Sequence, residues 1–93
     1  MEFEWDPKKD ARNFAKHGYT FQEAKAVFAD PNVVFELDGA EVEERWRAIG
    51  LSADRILFVV FVERGFDRVR IISARRAERH EKDRYFRQAL PQR

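Results

Sequence analysis

Apolar residues recur along the chain in two rhythms, one helical and one alternating, and the switches between them mark the expected elements. Phe3 to Trp5 is a short strand candidate. Asp6-Pro7 follows it as an N-cap acceptor with proline at the first helical position. Ala11, Phe14 and Ala15 fall at i, i+3, i+4 spacing, the apolar face of a first helix that Gly18 ends just beyond His17. Thr20-Phe-Gln-Glu23 is a capping box that opens a second helix. Its stripe is Phe21, Ala24, Val27 and Phe28, and Asp30-Pro31 stops it.

From there the pattern is that of strands. Asn32 to Leu37 reads as one, Asp38-Gly39 as a tight turn, and Glu44 to Leu51 as the returning strand of a hairpin. Ile56 to Val62 is apolar on both faces, as expected of a central strand covered on both sides. Arg68 to Ser73 alternates, with Val69, Ile71 and Ser73 on one face and Arg68, Arg70 and Ile72 on the other. A last helix is predicted from about Arg75 to Leu90, capped by Ser73, with Ala77, Tyr85, Phe86, Ala89 and Leu90 as a broken stripe. The order β-α-α-β-β-β-β-α lacks repeated crossover units. It predicts one α+β domain over residues 1–93: an antiparallel sheet of four to five strands, two N-terminal helices and one C-terminal helix.

Composition narrows what such a domain can do. Nine Phe, two Trp and two Tyr supply large apolar area to a short chain, so a core can form without metal or disulfide. With no cysteine, disulfide frameworks, thiolate zinc sites and cysteine nucleophiles are all excluded, which fits a reducing compartment. Met1 to Asp6 has no Lys or Arg, unlike the basic start of a secretory signal, and no apolar run reaches membrane-spanning length. A cytoplasmic protein is the expectation. The formal charge of +1 hides an asymmetry: residues 1 to 63 carry −5 and residues 64 to 93 carry +6. A basic end beside an acidic remainder suits a polyanion such as nucleic acid, or else is a solvated helix face.

No phosphate loop, dinucleotide fingerprint, zinc-protease or hydrolase-elbow motif is present, so no cofactor or metal is expected. The chain offers arginine instead. Arg64, Arg68, Arg70, Arg75, Arg76 and Arg79 cluster around a strand end and a helix start, and guanidinium forks bind phosphate oxygens at two points. RNA carries its own nucleophile, the 2′-hydroxyl. A protein need only position it, move protons and stabilise charge building on the phosphoryl oxygens.

Each candidate has a plainer reading beside the functional one. His17 can shuttle protons or complement the helix dipole, and His80 sits among charged neighbours on a polar helix side. Glu44 and Arg45 can act as base and phosphate clamp or form a hairpin-edge ion pair. Glu41, Glu43 and Glu44 can bind a hard cation or form a solvated turn. Arg70 and Arg75 flank the strand-to-helix junction, where helix N-H groups also favour an anion. Tyr85 belongs to the core or presents its hydroxyl at the rim. Lys16, Arg64, Arg68, Arg76 and Arg79 are candidates for holding the rest of the substrate.

Two segments carry a family resemblance. Phe3-Glu-Trp-Asp-Pro7 with Asn13, Lys16-His17-Gly18, Phe21 and Glu23-Ala24 resembles the opening signature of BrnT-type toxins. Arg70-Ile-Ile-Ser-Ala-Arg75 with Ala77, Glu81 and Tyr85 resembles their closing one, and Glu44-Arg45 with Ile49-Gly50 their middle strand. Tyr19 stands where a smaller aliphatic residue is expected. The resemblance implies a RelE-like fold, ribonuclease activity that halts translation, and neutralisation by a BrnA-type antitoxin. DNA contact then comes only through that antitoxin's ribbon-helix-helix domain, and a homodimer within a heterotetramer is compatible with it. The alternatives are a non-catalytic nucleic-acid-binding module and a protein-interaction module.

Overall fold

The computed structural model describes residues 1–39 and 44–89. Its strands are β1 (Glu2–Glu4), β2 (Val34–Leu37), β3 (Trp46–Ser52), β4 (Arg55–Glu63) and β5 (Arg68–Arg76). Its helices are α1 (Pro7–His17), α2 (Phe21–Ala24) with a 3-10 continuation Lys25–Ala29, and α3 (Arg79–Ala89). The strands form one sheet in the order β1-β5-β4-β3-β2. Four pair antiparallel in hairpin sequence, whereas β1 joins the far edge parallel to β5.

Helix ends follow local chemistry. Asp6 accepts from the Lys8 N-H, Pro7 opens α1, and Gly18 closes it with φ at 81°, a left-handed cap that glycine adopts without a Cβ penalty. Thr20 and Glu23 form both halves of the capping box on α2. The packing of α1 departs from the expected stripe. Ala11, Phe14 and Ala15 are exposed, and the residue that α1 buries is Asn13. Its side-chain amide donates to the Ala74 carbonyl at 2.8 Å and to the Tyr19 carbonyl at 2.9 Å. Its oxygen accepts the Ala74 N-H at 3.0 Å. Past Arg70, β1 no longer covers β5, and Asn13 satisfies the bare strand edge as a neighbouring strand would.

The first face of the sheet packs Leu57, Val59, Phe61, Ile71 and Ala74 beneath Phe21, Ala24 and Val27. Gly50 lets the 3-10 segment approach, since a Cβ there would lie 3.0 Å from Val27 Cγ1 and 3.2 Å from Val27 O. The second face holds a smaller cluster of Ile49, Ile56, Phe58, Ala77 and Tyr85. Asp30 links the layers. Its carboxylate accepts from the Asn32 and Leu51 N-H groups and, at 2.7 Å, from the Tyr85 hydroxyl.

Two boundaries move. The β2–β3 connection runs from Asp38 to Arg45, closed by the Asp38 N-H on the Arg45 carbonyl, so Asp38-Gly39 is not a two-residue turn. Strand β5 continues to Arg76, so Ser73 and Arg75 lie in the sheet and Ser73 caps no helix. The helix starts at Arg79, and Glu81 accepts the Glu78 N-H at 2.7 Å, a carboxylate three residues in serving the cap position. Of the predicted last stripe, Ala77 and Tyr85 are buried and Phe86 is half-exposed, while Leu90 lies outside the described residues.

Candidate active site

A β-bulge decides which side chains meet. On β4, Val60 pairs with Ser73 and Phe61 with Ile71, leaving Ile72 without a partner. One extra residue shifts the alternation by one position. Val69, Ile71 and Ala74 therefore stay on the first face, and Arg70, Ser73 and Arg75 all turn onto the second, opposite Val62, Val60 and Phe58. The uninterrupted alternation had placed Ser73 with Val69 and Ile71. In a regular strand Arg70 and Arg75, five positions apart, would fall on opposite faces.

Strand β3 brings Arg47 to the same face, beside Val60. Its guanidinium carbon lies 5.9 Å from the Phe58 ring centroid and that of Arg75 lies 4.2 Å from it, so one ring supports both cations. Arg75 is fixed further by two hydrogen bonds to Glu81, at 2.9 and 2.8 Å. That carboxylate is 4% exposed. Burial alone would push the Glu81 carboxyl up, but the Arg75 fork and the Glu78 N-H hold it below its ordinary value. The same fork raises Arg75, against its own burial.

Arg70 donates to Glu4 at 3.0 Å through one terminal nitrogen. Arg47 Nε lies 3.1 Å from Glu36 Oε1, close enough for attraction but not aligned as a hydrogen bond. Arg45, one residue ahead of β3, falls on this face by the same alternation, and its Nε is buried without a partner among the described residues. Chemically, this open sheet face is a guanidinium-lined platform suited to a phosphodiester.

The family model of the ribonuclease toxin BrnT of type II toxin-antitoxin systems matches residues 5–81. The chain belongs to the BrnT family of ribonuclease toxins. The 1.1 Å crystal structure of the Brucella abortus ribonuclease toxin BrnT is similar to it at 28% identity, with a TM-score of 0.66. That match covers 85% of this chain and 99% of the other. No curated protein matches the chain. The α+β architecture expected from the sequence thus agrees with a solved BrnT fold.

In this BrnT-family chain the remaining candidates disperse. His17 and Lys16 sit in the last turn of α1, lining a groove with Lys9, Arg12, Ile72 and Ser73. Tyr85 is 3% exposed, and its hydroxyl is committed to Asp30. Burial and that bond push it up to about 12. It is placed as a core residue and not at the rim. Arg64 lies in the β4–β5 turn, and Arg68 is exposed and paired with Glu2 and Glu4 at 3.5 and 3.7 Å. Arg76 turns onto the first face, and Arg79 is exposed at the start of α3. Glu44 is exposed ahead of β3, and Glu41 and Glu43 lie outside the described residues.

Among the described residues, one group of carboxylates and histidine has its ligand atoms close enough for a metal ion: Glu78, His80 and Glu81. Both Glu81 oxygens are taken by Arg75. Sequence reasoning missed Arg47. The signal was there, since Arg45, Arg47 and Ile49 share one parity of a strand whose other parity is Trp46, Ala48 and Gly50. Among the described residues, no helix of the toxin is long and apolar enough to cross a membrane.

Proposed function

We propose that the toxin is a metal-independent endoribonuclease whose second sheet face holds the scissile phosphate, with residues 1–93 acting as one toxin domain. The observation that carries this reading is the Ile72 bulge, which gathers Arg70, Ser73 and Arg75 beside Arg47 on an open face. The ribose 2′-oxygen attacks phosphorus, and its proton passes to a base. The bond to the 5′-oxygen breaks, and that oxygen takes a proton from an acid. The ends are a 2′,3′-cyclic phosphate and a 5′-hydroxyl. Arg70 keeps donors beyond the one given to Glu4, so it can meet the phosphoryl oxygens, and Arg45 adds its positive charge to the same face. Arg75, already neutralised, positions the site by anchoring α3 and stacking on Phe58.

Glu44 beside Arg45, and His17 in the groove that shares Ser73, are the proton carriers of this reading. Lys16, Arg64, Arg68, Arg76 and Arg79 extend contact to flanking nucleotides. In the cell the toxin acts in the cytoplasm and halts translation. A BrnA-type antitoxin neutralises it and supplies any DNA contact, in a heterotetramer built on a toxin dimer.

RNA incubated with the purified toxin in excess chelator tests the reading. Fragments ending in 2′,3′-cyclic phosphate are expected, with a loss of about 10²–10³ in kcat for Arg70→Ala, the scale of removing one transition-state donor. Activity that vanishes with chelator and returns with magnesium would overturn the metal-independent mechanism. RNA binding without cleavage would leave a binding module.

A further inference from the structure

Helix α1 carries a second cationic surface, different in kind from the arginine face. Lys9, Arg12 and Lys16 recur at i, i+3 and i+7, one stripe of the helix. With Asn13 and His17 they line a groove of about 410 Å³, whose opposite wall is Ile72 and Ser73 of the bulge. No acidic side chain lines it. The carboxylates near α1 are engaged elsewhere, Asp6 on the Lys8 N-H and Asp10 on the Phe21 N-H.

Three arginines of the sheet face meet a carboxylate: Arg47 meets Glu36, Arg70 meets Glu4, and Arg75 meets Glu81. Lys9, Arg12 and Lys16 have none within ion-pair distance among the described residues. Like charges one helical turn apart repel, so the stripe is unfavourable until an anion enters the groove. Lys9 and Lys16 stand about 10 Å apart along the axis at 1.5 Å per residue, a line of charge matched by a chain of anions more than by a single one. Ile72 is the one apolar side chain in the lining, which leaves little for the hydrophobic anchors of a protein partner.

We propose that this groove is the track for the phosphate backbone of a single RNA strand, which then crosses the β5 edge onto the arginine face. Ser73 joins the two surfaces, since it lines the groove and points onto the face that carries Arg70 and Arg75. The inference rests on the ribonuclease reading above. It adds a surface that grips RNA beyond the arginine face, the two meeting at Ser73.

The test uses the full chain and a 2′-O-methylated oligoribonucleotide, which has the RNA backbone but no free nucleophile. Affinity is measured against salt for the wild type and for Lys9→Gln/Arg12→Gln/Lys16→Gln. Lys25→Gln/Arg55→Gln/Lys82→Gln serves as a control of equal charge, and melting curves confirm that each variant folds. Three lost contacts on a single strand lower the slope of log K against log salt by about 2, at about 0.7 per phosphate. Affinity lost over a tenfold rise in salt then shrinks about 100-fold, and the control changes it far less. A groove variant with the wild-type slope, or one no different from the control, overturns the proposal. So does an unchanged RNA slope with lost binding of polyglutamate, which would assign the groove to an acidic peptide. Wild-type cleavage of unmodified RNA in the same buffer is scored separately, so the track can fail while the ribonuclease reading stands.

Discussion

Replacing Tyr85 with Phe removes one oxygen and separates a structural role from a chemical one. The hydroxyl donates at 2.7 Å to Asp30 Oδ2, which also accepts the Leu51 N-H at 2.8 Å. A hydrogen bond to a charged group contributes about 1.5–3 kcal/mol, and the carboxylate that stays behind is 9% exposed, so the loss is poorly replaced by water. For a domain near this size each kcal/mol moves the melting temperature by roughly 4–8 °C, so Tyr85→Phe is expected to melt about 10 °C or more below the wild type.

The pH profile carries a second signature of the same contact. Burial raises Asp30, but the Tyr85 hydroxyl and two backbone N-H groups outweigh it and hold the carboxyl below its ordinary value. A depressed carboxyl stabilises the fold above the ordinary carboxylate pKa of about 4, and that stability is lost as pH falls through the lower folded value. Tyr85 is shifted the other way, from 10.0 to about 12. Its contribution is complete below pH 10.0 and is lost as pH climbs toward about 12. Urea titrations across both limbs are expected to show Tyr85→Phe with a shallower acid limb and no tyrosine-dependent alkaline one. RNA cleavage at neutral pH, below the melting range, is expected to keep its rate. A melting temperature equal to the wild type, or cleavage abolished in a fully folded variant, would refute the reasoning.

Three further substitutions probe the supports of the site. Asn13→Ala leaves the buried Ala74 N-H and C=O without partners, at about 1–3 kcal/mol each, and hydrogen exchange at the Ala74 amide is expected to lose its protection first. Gly50→Ala drives a Cβ to 3.0 Å from Val27 Cγ1 and 3.2 Å from Val27 O, with an expected cost of about 1–3 kcal/mol from overpacking, read by thermal melting. Glu81→Gln takes the charge from beneath Arg75 and is expected to cost about 1.5–3 kcal/mol. The Glu81 carboxyl is held low, so the wild type loses this support as pH falls below about 4, and urea titrations of the variant are expected to show less acid sensitivity.

What the sequence disclosed was local chemistry. Asp6-Pro7, Gly18 and the Thr20–Glu23 box each settle a helix end within a few residues, and all were readable. The apolar run of β4 was readable too, because a strand covered on both faces needs no partner to reveal itself. The parallel seat of β1 was hidden, since it pairs residues some 66 positions apart. Asn13 was hidden for a different reason: a helix that buries an amide to finish a sheet edge leaves its apolar residues outside, and the stripe then points the wrong way. Ser73-Ala-Arg75 resembled a helix start because serine caps helices, yet the strand ladder with β4 prevailed through Arg76. The guanidinium-rich character was legible from composition, while its assembly depended on the unpaired Ile72.

That unpaired residue is the slack in this stretch of chain. Losing Ile72 would leave Ile71 opposite Phe61 and Ser73 opposite Val60 in plain alternation, and every side chain from Ser73 to Arg76 would keep its face. Arg75 would still lie over Phe58 and still anchor α3 through Glu81. Across homologues a spacing of four between the two arginines, with no bulge, is then as compatible with a shared face as a spacing of five with one. In a library of single-residue deletions, loss of Ile72 should be tolerated better than loss of Val59 on the facing strand, which has no spare residue to take up the gap.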